Sequence, residues 1–205
     1  MDTGIKKNID INLPVKIGYD VLEKVLRDRM VGETFQIEKD NGEVTKYAEV
    51  LNVRLGKSLE EGYDLTAQLE FKTLTTLFKN KTAGILFHAV IEFNERDQQV
   101  EVGDFKIKGT SSSWLMNKSL ETVANKIVYG KLKNNMKLDF RPHLEPQLQK
   151  LNKKLENSMQ AGEGVFLTGK IGEIRICEFI AGNTEIYLVL KIQGGTAVEI
   201  KDIKL

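Results

Sequence analysis

Three stretches of this chain alternate apolar and polar residues almost without interruption, and few helices accompany them. Residues 63–71 keep a strict two-residue period, and residues 5–17 and 83–93 do nearly the same. Because successive strand side chains point to opposite faces, each stretch forms one apolar face of a sheet. Either the helices of the chain or a ligand must cover that face.

The order of the remaining patterns predicts an α+β fold. A strand and a helix come first, then four or more meander strands, one or two helices, and three closing strands. Seven or eight long strands curl rather than stay flat. We therefore expect a long, strongly curved antiparallel β-sheet wrapped around one or two long amphipathic helices, within a single domain covering residues 1–205.

Proline and glycine positions refine this expectation. Pro14 cannot donate to a ladder, so the first strand is predicted to be an edge strand or to break there. The apolar phase slips at Gly103, which predicts a bulge. Gly194 and Gly195 are predicted to form a hairpin turn between the last two strands.

The composition is that of an ordinary globular chain, with 41% hydrophobic and 29% charged residues and a net charge of +1. No apolar run is long enough for a transmembrane helix, and the first residues lack the apolar centre of a signal peptide. The compartment is left open. We expect a cytoplasmic protein, or a periplasmic or envelope protein if a removed segment precedes this chain.

No residue pattern indicates catalysis or a cofactor. The single cysteine, Cys177, lies in an apolar run, and the two histidines, His88 and His143, are far apart, so no metal cluster of ordinary spacing exists. Residues 164–171 approach a phosphate-binding loop but place Ile171 where a hydroxyl must hold magnesium. We predict no catalytic residue, no metal and no cofactor; a site assembled in space around either histidine remains an alternative.

Positive charge is concentrated between residues 126 and 154, where eight cations face two anions. Such a segment suits an anionic membrane surface or an acidic protein, although a solvated helix face is the simpler interpretation. Few aromatic residues interrupt it, so no nucleic-acid partner is expected. The predicted surface basic patch consists of Lys131, Lys133, Lys137, Arg141, Lys150, Lys153 and Lys154.

The large apolar side chains of the alternating strands are the remaining candidates for function. Burial of each is favourable by roughly 1.5–3 kcal/mol, so they will not remain in water. An ordinary core and a groove that holds an apolar guest are both open. The predicted apolar lining consists of Leu65, Leu69, Phe71, Ile85, Phe87, Ile91, Phe93, Phe105, Ile107 and Trp114.

Three segments carry a family resemblance. Residues 11–17, with sequence INLPVKI and followed at once by a helix, resemble the opening of a half of the tubular lipid-binding (TULIP, BPI-like) superfamily. More narrowly, the chain is similar to an uncharacterised bacterial domain-of-unknown-function family. The sequences GVFLTGKI at 164–171 and GGTAVEI at 194–200 fit its ending.

The resemblance implies a long helix held in a curved sheet, with an apolar seam that binds lipids or other apolar molecules. Several members carry two such halves, so this single half leaves open a missing second domain or a homodimer. No catalytic residue carries over. The function expected is non-enzymatic binding of an apolar small molecule or lipid. The alternative is a scaffold or assembly module with a dry core that engages a protein partner.

Overall fold

The computed structural model describes residues 8–38, 41–74, 81–110 and 129–202, which form ten strands and three helices. The strands are β1 (Ile9–Gly18), β2 (Thr34–Glu38), β3 (Val44–Lys57), β4 (Leu65–Thr73), β5 (Thr82–Asn94), β6 (Gln99–Gly109), β7 (Leu138–Asp139), β8 (Met159–Gly162), β9 (Val165–Ala181) and β10 (Glu185–Ile200). The helices are α1 (Tyr19–Met30), α2 (Tyr129–Met136) and α3 (Arg141–Glu156).

The strands form two antiparallel sheets. The terminal sheet has the order β1-β10-β9-β8, and the central sheet has the order β2-β3-β4-β5-β6-β7. The predicted α+β class and antiparallel pairing are therefore confirmed. The prediction of a single continuous sheet is wrong, because the strands form two sheets. Strands from the two ends of the chain pair with one another instead of extending the meander.

The described helices are short, with 12, 8 and 16 residues. The predicted long helix along the apolar stripe of residues 116–132 lies mostly outside the described residues. None of the helices in the described ranges is long and apolar enough to span a membrane.

One face of the terminal sheet is apolar along its length. Register places Leu13 beside Leu190 and Ile11 beside Ile192, so these side chains share a face. The same rows continue onto β9 through Ile176 and Ile174. As predicted from Pro14, β1 is an edge strand of this sheet, so no other described strand covers the outer margin of its apolar face.

The central sheet buries its apolar face against α1 and α2. Met30 of α1 and Leu132 of α2 are 1% and 0% exposed, and they belong to the same core cluster as residues of β2 to β6. The helical spacing of Leu26 and Met30 places both on the face of α1 that meets the sheet. This cluster is a closed hydrophobic core.

The predicted bulge at Gly103 is confirmed. Ala89 pairs with Phe105 and Ile91 pairs with Val102, so Gly103 and Asp104 of β6 together oppose one residue of β5. The additional residue moves the apolar phase of β6 from even to odd positions. This shift keeps Val102 and Phe105 packed in, or against, the same cluster.

The predicted hairpin at Gly194–Gly195 is wrong, because β10 runs straight through both glycines. Gly194 pairs with Ile171 and Gly195 pairs with Lys170 of β9. A Cβ atom at Gly194 would lie 2.6 Å from the Lys170 carbonyl oxygen. Gly194 therefore permits a close approach of the β10 and β9 backbones at a register shift. Such an approach requires glycine just as a tight turn does, so the sequence predicts either one.

A buried side-chain amide joins the two sheets. Gln98, in the turn between β5 and β6, donates from Nε2 to the Ile176 carbonyl oxygen at 2.8 Å. Its Oε1 accepts from the Ile176 backbone nitrogen at 2.7 Å. Gln98 is 7% exposed and thus takes the place of a neighbouring strand at the edge of β9.

We predict that Gln98→Met destabilises the fold, because the substitution keeps the side-chain length but leaves both Ile176 backbone groups unpaired. An unpaired buried polar group costs about 1–3 kcal/mol. Urea denaturation should show at least this loss in the free energy of unfolding. Gln149→Met on the exposed surface of α3 is the matched control and should change it by less than about 0.5 kcal/mol. Equal effects of the two substitutions would contradict the account.

Candidate functional site

An apolar cavity of about 120 Å³ lies where the two sheets meet α1 and α2. Strands of both sheets contribute to its wall, together with the segment that links α2 to α3. The lining consists of Ile17, Leu22, Val25, Leu26, Arg29, Leu55, Leu65, Ile91, Val100, Asn135, Met136, Lys137, Leu138, Phe140, Phe179 and Ile186.

The polar members of the lining come from the end of α1 and the end of α2. Arg29 Nη1 donates to the Asn135 carbonyl oxygen at 3.3 Å, and Lys137 forms an ion pair with Glu101 at 3.8 Å. The other lining side chains are aliphatic or aromatic, apart from the thioether of Met136. Such an interior suits an apolar group, because a polar group buried without a partner loses its hydration.

The cavity wall continues onto the open apolar face of the terminal sheet. Ile17 and Ile186 line the cavity and pair with one another in adjacent strands. Two and three rows further along β1 on the same face lie Leu13 and Ile11, which are 45% and 48% exposed. The apolar surface therefore extends without interruption from the cavity to an exposed strip.

Two of the ten predicted lining residues, Leu65 and Ile91, reach the cavity. Phe93 packs beside it, with its ring 6.2 Å from that of Phe179. The structure places a further group in, or against, the closed core of the central sheet, and Trp114 lies outside the described residues. That group consists of Leu69, Phe71, Ile85, Phe87, Phe105 and Ile107.

The sequence reasoning missed the lining contributed by the terminal sheet and α1. Ile17 belongs to the alternating row of residues 5–17, so the signal of an apolar face was present. Phe179 and Ile186 lie on the two long closing strands, which were predicted as strands but not as lining. Their contribution depends on the pairing of β1 with β10, and no local pattern reveals a pairing across most of the chain.

The predicted basic patch is spread over α2, the segment between α2 and α3, and α3 itself. Lys137, which precedes α3, forms an ion pair with Glu101. Arg141, the first residue of α3, forms an ion pair with Asp139, and its hydrogen bond lowers the pKa of Asp139. Lys133 lies in α2, and the side chain of Lys131 falls outside the described part of the structure. The exposed group on α3 consists of Lys150, Lys153 and Lys154.

The two histidines differ in their surroundings. His143 is exposed in the first turn of α3. His88 is 5% exposed, and its Nδ1 lies 3.0 Å from Ser58 Oγ and 2.9 Å from Thr66 Oγ1. Burial lowers the pKa of His88, which favours a neutral imidazole at pH 7.

Among the described residues, no three His, Cys, Asp or Glu side chains are grouped so as to hold a metal ion. Cys177 is half-buried, and its thiol donates to the Val189 carbonyl oxygen at 3.4 Å. It is the additional residue at a register shift, because Ile176 and Glu178 pair with consecutive residues of β10. Its position is explained by the irregular pairing of β9.

Comparison with curated proteins and with solved structures gave no match. A family model described as a domain of unknown function, DUF4403, matches residues 1–200. The resemblance to an uncharacterised domain family is therefore confirmed, while the wider likeness to the tubular lipid-binding superfamily stays a prediction. The chain belongs to the DUF4403 family.

Proposed function

We propose that this protein binds a lipid or another apolar chain molecule, without catalysis, between the terminal sheet and the helices. The observation that carries this proposal is the continuity between the cavity and the exposed apolar strip on β1. A closed core alone would give no place for a guest. A cavity that opens onto an exposed apolar strand gives both a recess for one end of a guest and a path along the protein.

The size of the cavity defines how much of a ligand it encloses. An engineered apolar cavity of about 150 Å³ binds a single benzene ring, so about 120 Å³ accepts the end of a chain and not a whole lipid. The rest of the chain would follow β1 from Ile17 towards Ile9. These eight steps span roughly 26 Å at the rise of a strand. A lipid chain that crosses one leaflet extends about 15 Å, half the thickness of the hydrocarbon core.

The free energy of binding would come from covering the strip. Ile11 and Leu13 are about half exposed and lie beside the partly buried Leu190 and Ile192. Removal of apolar surface from water is worth about 25 cal/mol per Å². A hydrocarbon chain needs no directional partner, which agrees with a strip that is apolar along its whole length.

The tubular lipid-binding resemblance of residues 11–17 supports the same proposal, because this segment contains Ile11, Leu13 and Ile17. It implies one half of a tube, so residues 1–205 would act as one lipid-binding half alone, as a homodimer or with a further domain. An anionic membrane surface is the source or acceptor that we propose for the ligand. The exposed Lys150, Lys153 and Lys154 form no ion pair with the described residues and suit such a surface.

A protein partner is the second candidate function. Within the described ranges β1 has no strand on its outer side, and an extended peptide can add a strand to such an edge. In that case Ile11 and Leu13 would contact the partner and the cavity would stay empty. Pro14 and Lys16 on the same strand oppose this pairing, because proline and lysine protect edges from added strands.

We predict that Val25→Trp weakens the binding of a fluorescent fatty acid at least tenfold, because the indole enters the cavity from α1. Val25 lines the cavity and is 44% exposed, so a larger side chain fits without overpacking the core. Fluorescence titration measures the affinity. The matched control is Val21→Trp, one turn earlier on α1, which is 55% exposed and outside the lining.

The control variant should bind the fatty acid like the unmodified protein. No binding by the unmodified protein at any ligand concentration below its solubility limit, or equal loss in both variants, would overturn the proposal. Circular dichroism of the two variants verifies that each is folded.

We also predict that Leu13→Lys weakens the binding of long-chain fatty acids more than that of short-chain ones, because a charge then interrupts the strip beyond the cavity. Ile180→Lys is the control, since Ile180 is similarly exposed, at 55%, but pairs with Tyr187 on the opposite face of the sheet. A chain-length series of fatty acids, titrated against both variants, measures the effect. Equal affinity losses for all lengths would contradict the strip.

A further inference from the structure

We propose that the loop of residues 58–64, between β3 and β4, is a pH-sensitive gate at one end of the cavity, kept closed by neutral His88. This inference rests on the proposed function, because it assigns a regulation to the same apolar site. It is carried by three features: the place of the loop, the contacts that hold it, and an unpartnered buried nitrogen beneath it.

The loop begins and ends beside the lining of the cavity. Leu55, near the end of β3, and Leu65, the first residue of β4, both line it. The last loop residue, Asp64, accepts a hydrogen bond from the backbone nitrogen of Ile91, another lining residue, at 2.9 Å. The loop therefore cannot lift at this end without a movement next to the lining.

His88 lies beneath the loop. It occupies the outer face of the central sheet, in a row with Thr66 of β4 and Lys106 of β6. An outer-face residue would ordinarily be exposed, but the loop covers it: Ser58 contacts Nδ1, and the Tyr63 ring lies 6.1 Å from the imidazole. The burial of His88 is thus tied to the closed position of the loop.

A clasp of charges holds the middle of the loop. Glu60 forms ion pairs with both Lys106 and Lys108 of β6. Hydrogen bonds from these two lysines lower the pKa of Glu60 to about 2. Glu60 therefore stays charged between pH 4 and pH 8, so its ion pairs do not themselves respond to mild acid.

His88 is the group that responds. Its Nε2 is buried and has no hydrogen-bond partner among the described residues. In the protonated ring both nitrogens carry a hydrogen, so Nε2 is a charged donor with no acceptor, a costly state that water can relieve only when the loop lifts. The charged groups that face the ring are Glu60 on the loop, which favours protonation, and Lys108 and Lys106 on β6, which oppose it.

The direction of the pH effect follows from the lowered pKa of His88, whose first cause is burial. An exposed histidine in the open loop protonates near its ordinary pKa of about 6.5. The closed loop is therefore favoured above this pH, and its advantage is lost as the pH falls from there towards the lower pKa of the closed state. Acidification should therefore lift the loop next to Leu65 and Ile91 and speed the release of the ligand.

Hydrogen exchange of the loop amides tests the gate without any ligand. The Ser58 amide donates to the Asp64 carbonyl oxygen, and the Asp64 amide donates to that of Ala89. After correction for the intrinsic exchange rate, we expect their protection to fall by up to about tenfold per pH unit below pH 6.5. His88→Phe, which keeps a ring but cannot titrate, should remove this pH dependence.

Two further variants make the outcome unambiguous. His143→Phe replaces the other histidine, which is exposed, and should retain the pH dependence of the unmodified protein. Glu60→Gln weakens the clasp, so it should speed exchange at pH 7.5, where His88 is neutral with the loop open or closed. A flat pH profile in the unmodified protein, or an unchanged slope in His88→Phe, would overturn the gate.

A ligand experiment separates this inference from the proposed function. Bound N-phenyl-1-naphthylamine, a neutral apolar fluorophore, should dissociate at pH 5.0 from the unmodified protein at least five times faster than from His88→Phe. Binding at pH 7.5 with equal dissociation rates from both proteins would contradict the gate alone. Absence of binding at pH 7.5, with a pH-dependent exchange of the loop, would contradict the proposed function alone.

Discussion

The pairing of Gln98 with the backbone of Ile176 is the interaction on which the architecture depends. It supplies both a donor and an acceptor to the edge of β9, so a side chain completes the sheet where no strand does. Asn152 of α3 does the same for Ile171, with hydrogen bonds of 2.8 and 2.7 Å. These two amides satisfy buried backbone groups that would otherwise need a further strand, and they hold the central sheet and α3 against the terminal sheet.

The cavity is a consequence of this join. Each of the two sheets buries an apolar face. Gln98 in the turn between β5 and β6 joins them, and no continuous ladder of hydrogen bonds between the described strands does, so their apolar faces leave a space between them. Leu65 from one sheet and Ile186 from the other line the resulting space together with Leu22 of α1. The closed core of the central sheet, which contains Met30, stabilises the fold. The cavity at the junction of the two sheets leaves space for a ligand. The exposed strip on β1 and the loop over His88 lie at the margins of the same junction.

Much of the fold could be predicted because it is local. Alternation identified the strands, Pro14 identified an edge, and the phase slip at Gly103 identified a bulge. The site could be predicted only in part, since Leu65 and Ile91 meet Ile17 through the pairing of β1 with β10, at the two ends of the chain. The prediction of a hairpin turn at Gly194 and Gly195 was wrong because close backbone contact and a turn require the same residue type. Gln98 is a polar residue in a turn, and nothing in its sequence context signals that it is buried between two sheets.

The central claim is that an apolar molecule occupies the junction of the two sheets. Native mass spectrometry of the freshly purified protein, followed by organic extraction of the same sample, tests it most directly. We predict a mass above that of the bare chain, removed by extraction, with an apolar chain compound recovered in the organic phase. A bare chain mass, with no compound extracted from protein isolated under several growth conditions, would contradict the account.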